Sequence, residues 1–107
     1  MSSFGSWMNA SISAGATDTG EIDLGGLYDY LVLLIPGMDT CKLSLKVAEK
    51  TTEQGGSYYE LGQDVKTDEE SFNRADVWRL GGFRHIKIVA SKAQSAARTI
   101  RIRGWRT

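Results

Sequence analysis

One histidine, His85, and one cysteine, Cys41, set narrow limits on the chemistry open to this chain of 107 residues. A structural zinc site takes four Cys or His ligands, and a Ser-His-Asp triad needs a histidine beside a nucleophile elbow. Neither can be assembled here. His85 alternates with Lys87 on the outward side of an apolar run and reads as a surface histidine. Cys41 heads an alternating run that ends at Val47 and reads as a buried, inert thiol; alone, it forms no internal disulfide. No glycine-rich loop precedes a helix, and Gly25-Gly26 and Gly81-Gly82 have the character of hairpin turns. Asp18, Glu21 and Asp23 cluster in one turn and could offer oxygens to calcium, but their spacing matches no EF-hand loop, and a solvated turn accounts for them. Any two of the 13 acidic residues could meet as a glycosidase pair, yet no spacing singles a pair out. The chain is therefore expected to be non-enzymatic and to use no cofactor or metal.

Binding chemistry is better supplied. Net charge is zero, from 13 basic and 13 acidic side chains, but the charge is segregated. Residues 1–40 hold Asp18, Glu21, Asp23, Asp29 and Asp39 with no Lys or Arg; residues 81–107 hold Arg84, Lys87, Lys92, Arg98, Arg101, Arg103 and Arg106 with no Asp or Glu. The stripe Arg101-x-Arg103-x-Trp105-Arg106 is the most distinctive polar feature. Basic residues with an aromatic could take nucleic acid, but a neutral chain lacks the excess positive charge that such binding draws on. Arginine pairs with carboxylates and stacks on aromatics at protein interfaces. Asp18, Glu21, Asp23 and Asp29, with Arg101, Arg103 and Arg106, form the candidate protein interface, closed within the sheet edge or with a neighbouring subunit. Tyr58 and Trp105 are candidate exposed aromatics suited to stacking on sugar rings. One of the adjacent pair Tyr58-Tyr59 must face away from the core, and Trp105 follows the outward register of Arg101 and Arg103. Trp7 and Trp78 are assigned to the core.

The elements that would position these residues show period-two patterning. Residues 41–48 put Cys41, Leu43, Leu45 and Val47 on one face and Lys42, Ser44 and Lys46 on the other. Residues 85–90 turn Ile86, Ile88 and Ala90 inward, and residues 98–103 turn Ile100 and Ile102 inward. Leu27 to Ile35 is apolar on both faces apart from Asp29, as in a central strand or one covered by a partner. Weaker strands are expected at Trp7–Ala14, Glu21–Leu24, Ser57–Leu61 and Ala75–Leu80. Turns fall at Gly15, Gly20, Gly25-Gly26, Pro36-Gly37, Gln54-Gly55-Gly56, Gly62 and Gly81-Gly82. Thr67-Asp68-Glu69-Glu70 has the form of a capping box and predicts one helical turn. About eight short antiparallel strands in one domain imply an all-β, jelly-roll-like sandwich over residues 7–107, preceded by a flexible arm at 1–6. The longest apolar run, Leu31 to Pro36, is strand-sized, so no membrane span is expected, and the first residues lack the pattern of a signal peptide.

One resemblance covers roughly residues 18–104. It rests on the acidic turn Gly20-Glu21-Ile22-Asp23-Leu24-Gly25, the apolar strand Tyr28 to Ile35, the core strand Leu43 to Glu49, and Tyr58-Tyr59-Glu60-Leu61-Gly62. Gly82-Phe83-Arg84-His85-Ile86-Lys87-Ile88-Val89, Ala93-Gln94-Ser95-Ala96-Ala97 and a final strand complete it. This layout resembles small structural proteins of tailed bacteriophages, such as capsid decoration and minor virion proteins. The resemblance implies a homo-oligomeric, jelly-roll-like subunit that docks on the major capsid or another virion protein. It would be assembled in the host cytoplasm and reside in the virion, with no nucleic acid or membrane partner. The alternative is a carbohydrate-binding module, tail-associated or receptor-binding.

Overall fold

The computed structural model describes residues 3–67 and 73–107. These form nine strands: β1 (Ser3–Phe4), β2 (Met8–Ile12), β3 (Ile22–Asp23), β4 (Tyr30–Ile35), β5 (Cys41–Ala48), β6 (Tyr59–Thr67), β7 (Arg74–Arg79), β8 (His85–Ala90) and β9 (Arg98–Arg106). No helix occurs among the described residues. The helical turn expected at Thr67 to Glu70 lies outside them, except that Thr67 ends β6.

Two antiparallel sheets result. In sheet A the order is β1-β9-β4-β7, with β2 also on β9; in sheet B it is β3-β8-β5-β6. The long strand β9 takes β2 along Arg98–Ile102 and β1 at Trp105 and Arg106. Part of the segment expected as a flexible arm is thus a paired strand, and the Gly5 amide donates to the Gly104 carbonyl.

The alternation read from the sequence does the packing. Ile12, Leu31, Leu33, Ile100 and Ile102 of sheet A meet Leu43, Leu45, Ile86 and Ile88 of sheet B in one core, all fully buried. Each such side chain contributes about 1.5–3 kcal/mol relative to exposure. Trp78 is buried in this core, whereas Trp7 lies at the surface. Trp7 has the parity of Asn9 and Ser11, the outward residues of β2. The thiol of Cys41 is buried.

Three expectations change. The strand expected from Leu27 begins at Tyr30, and Leu27 lies exposed ahead of it. Gly25-Gly26 and Gly81-Gly82 are not hairpin turns. They join β3 to β4 and β7 to β8, strands of opposite sheets. A link that must cross between layers uses the positive φ of Gly25, Gly81 and Gly82, which side-chain-bearing residues adopt at a cost. Gly62 does not end its strand. Between the pairs Lys46↔Glu60 and Ser44↔Asp64 the register shifts, and Gly62 falls inside that irregularity, so β6 continues to Thr67.

Tyr28 closes one end of the core. Its ring lies against Gly104, where an added Cβ would meet it at 2.2 Å, and its hydroxyl end sits against Gly5 and Gly26. Gly104 is therefore required by a close approach.

Candidate functional site

The outward face of sheet A gathers what the sequence scattered. From β4 come Tyr30, Val32 and Leu34, and from β7 their register partners Arg79, Val77 and Ala75. From β9 come Arg101, Arg103 and Trp105, paired with Leu34, Val32 and Tyr30. Phe4 pairs with Trp105 at the far edge. Leu34 is 44% exposed, Val77 50% and Phe4 54%. A shallow groove lined by Leu34, Ala75, Thr99 and Arg101 runs across one end. No Asp or Glu occupies an outward position of this face among the described residues.

The face has two halves. On β4 and β7 the side chains are mainly aliphatic. On β9 and its edge, aromatics and arginines pack on one another. Phe4 and Trp105 stack at 5.9 Å, and Tyr30 meets the same indole at 5.0 Å. The Arg103 guanidinium lies 4.3 Å from the Phe4 centroid and 5.0 Å from that of Trp7, with Arg101 at 6.0 Å from Trp7. Arg103 Nε and Trp105 Nε1 are buried without hydrogen-bond partners among the described residues. Ring contact, worth about 0.5–2 kcal/mol per cation–π pair, orders this cluster.

The predicted interface residues do not form one site within the chain. Arg101 donates to Asn9 Oδ1 at 2.8 Å. Arg106 projects to the opposite side of β9 from Arg101 and Arg103, donates to the Leu27 carbonyl and covers the Tyr28 ring. The carboxylates are engaged elsewhere. Asp18 accepts from the Gly20 amide, and Glu21 accepts from Thr52 N and Oγ1. Asp29 accepts from Thr107 N and Oγ1. Asp23 accepts from the Gly25 amide and pairs with Arg84 at 2.6 Å; these partners hold its carboxyl down at about 2. Asp39 binds Arg98 at 2.9 Å and the Ser95 amide at 2.6 Å. Asp18, Glu21 and Asp23 thus serve separate turns, and the described residues contain no cluster of three or more potential metal ligands.

The exposed aromatics also need correction. Tyr59 is the more exposed of its pair, at 69%, although it is in register with the core residue Val47. Tyr58 is half-buried with the Lys87 ammonium 4.8 Å over its ring. Burial and the neighbouring Glu21 carboxylate push its hydroxyl up to about 12. Trp105 does point outward, but it is half-buried, with Phe4 and Tyr30 against it. Sequence reasoning missed Phe4, Val77 and Arg79 as members of a site; Leu34 belongs to the Leu27–Ile35 strand, whose two apolar faces suggested a covering partner. The apolar outward parity of Leu34 was the available signal.

No protein-family model matches the chain, and no curated protein sequence does. Among solved structures it is similar to the SPBc2 prophage-derived protein YomS, with a TM-score of 0.65 and 9% identity over 98% of this chain and 95% of that one. A weaker likeness, at a TM-score of 0.48 and 10% identity over 100% of this chain and 88% of the other, is to the Yersinia pseudotuberculosis-derived mitogen. The first similarity shows a shared fold.

Proposed function

We propose that the chain is a non-enzymatic structural subunit of a tailed-bacteriophage virion. In this reading it is a capsid decoration subunit that docks on the major capsid or another virion protein and is present in repeated copies. The observation that carries the reading is the outward face of sheet A, where Leu34, Val77 and Phe4 lie exposed in the middle and at the rim of one surface. Contiguous apolar surface of this kind marks a site of contact.

Two further observations support it. Sheet A runs 2-9-4-7 and sheet B 3-8-5-6, with every connection from β2 onward crossing between sheets except β5 to β6. That order supports a jelly roll, an architecture of viral capsid domains. The fold likeness to a prophage-derived protein supports a phage origin. The carbohydrate alternative loses support at its two candidate rings, because Tyr58 and Trp105 are half-buried, with Lys87 over the first and Phe4 and Tyr30 against the second.

The test is co-sedimentation of the purified chain with particles of the phage that encodes it, alongside sedimentation of the chain alone. Saturable, stoichiometric association is expected. A strictly monomeric chain that sediments with no shell or tail would overturn the proposal.

A further inference from the structure

We infer that the sheet A face takes a different protein, one that presents carboxylates among aliphatic side chains, and not the same face of a two-fold-related second copy. The inference rests on the docking reading above and specifies the partner's chemistry.

The face is not self-complementary. A two-fold contact places the same patch on both sides. Here Arg101 and Arg103 would find no carboxylate on the other copy's patch among the described outward residues. Positive charge desolvated without an opposite charge facing it is unfavourable. A head-to-tail contact using the acidic first third of another copy meets a second obstacle. Asp18, Glu21, Asp23, Asp29 and Asp39 each already accept hydrogen bonds within their own chain.

The arrangement also argues against single-stranded nucleic acid, which binds by stacking bases on open aromatic faces. The rings here are engaged with one another and with the arginines: Trp105 with Phe4 and Tyr30, Trp7 with Arg101 and Arg103. The aliphatic half, Val32, Leu34, Ala75 and Val77, would face phosphates with nothing to offer them. A protein surface with aliphatic side chains opposite that half, and Asp or Glu opposite the arginines, satisfies both.

The experiment uses the full chain and three synthetic, cyclised β-hairpins with the same valine-bearing docking face. Its interspersed positions are glutamate, glutamine or lysine. Binding is read by amide shifts along β4, β7 and β9. The glutamate hairpin is expected to bind about tenfold or more tighter than the glutamine one, and the lysine hairpin not at all. The exposed variant Arg101→Glu, with its unfolding temperature confirmed unchanged, should reverse the order of the glutamate and lysine hairpins. Equal binding of all three hairpins, binding of none, or tighter binding of a polythymidine oligonucleotide would overturn the inference. So would a dimer of the chain alone that Val77→Asp dissolves. None of these readings involves a virus particle, so a failed co-sedimentation and a failed charge preference remain separate results.

Discussion

The outward faces of the two sheets are built by the same alternation and carry opposite kinds of surface. Sheet A presents Val32, Leu34 and Val77, with arginines laid on aromatic rings. Sheet B presents Lys42, Lys46, His85 and Lys87, with Glu60 paired in register to Lys46 and Asp23 held by Arg84. Lysine is a strongly hydrated point charge, whereas guanidinium is weakly hydrated and stacks. Sheet B is therefore surfaced for water. Sheet A is surfaced to lose water, and the docking proposal rests on that difference.

The largest expected effect follows from charging each face in turn. Leu34→Glu with Val77→Glu should weaken association with the particle by about 100-fold, the scale of a lost hot spot, while Lys42→Glu with Lys46→Glu changes it by about twofold. Co-sedimentation isotherms give both numbers, and comparable losses would dissolve the contrast. Gly104→Ala comes next. Its Cβ collides with the Tyr28 ring at the closed end of sheet A, so thermal unfolding should show a loss of about 1–3 kcal/mol. Arg103→Ala should cost about 1 kcal/mol and speed hydrogen exchange at the Gly5 amide, which the neighbouring Phe4 contact helps to hold.

The smallest effects are in pH. Asp23 has its carboxyl lowered to about 2, so the stability it lends is present above the unfolded value near 3.8 and is lost as pH falls through about 2. Carboxyl chemical shifts would follow it. Tyr58 is raised from 10.0 to about 12, so its contribution is full below pH 10 and declines as pH rises towards 12, readable as phenolate absorbance. The first change belongs to sheet B and its edge, and neither should touch the surface of sheet A.

Much of the fold is legible as alternation. Cys41 to Val47, Ile86 to Ala90 and Ile100 to Ile102 point where period two puts them. Glycine pairs are harder, because Gly25-Gly26 suits either a hairpin or a crossing between layers, and only the partner strands decide. The site was half legible. Arg101, Arg103 and Trp105 share an outward parity that the sequence displays, but Arg106 has the other parity and leaves the stripe. The acidic first third does meet arginine, but at Arg84 and Arg98; Asp18 caps its own turn, Glu21 and Asp29 accept from Thr52 and Thr107, and Arg103 finds rings contributed by Phe4 and Trp7. Such cross-strand neighbours depend on sheet order, which no local pattern states.

The most direct test is hydroxyl-radical footprinting of the chain free and on the particle. Oxidation of Phe4, Trp7, Leu34 and Val77 should fall severalfold on binding while that of Tyr58, held against Lys87 of sheet B, stays unchanged. Protection of Tyr58 with Leu34 and Val77 still fully reactive would contradict the account.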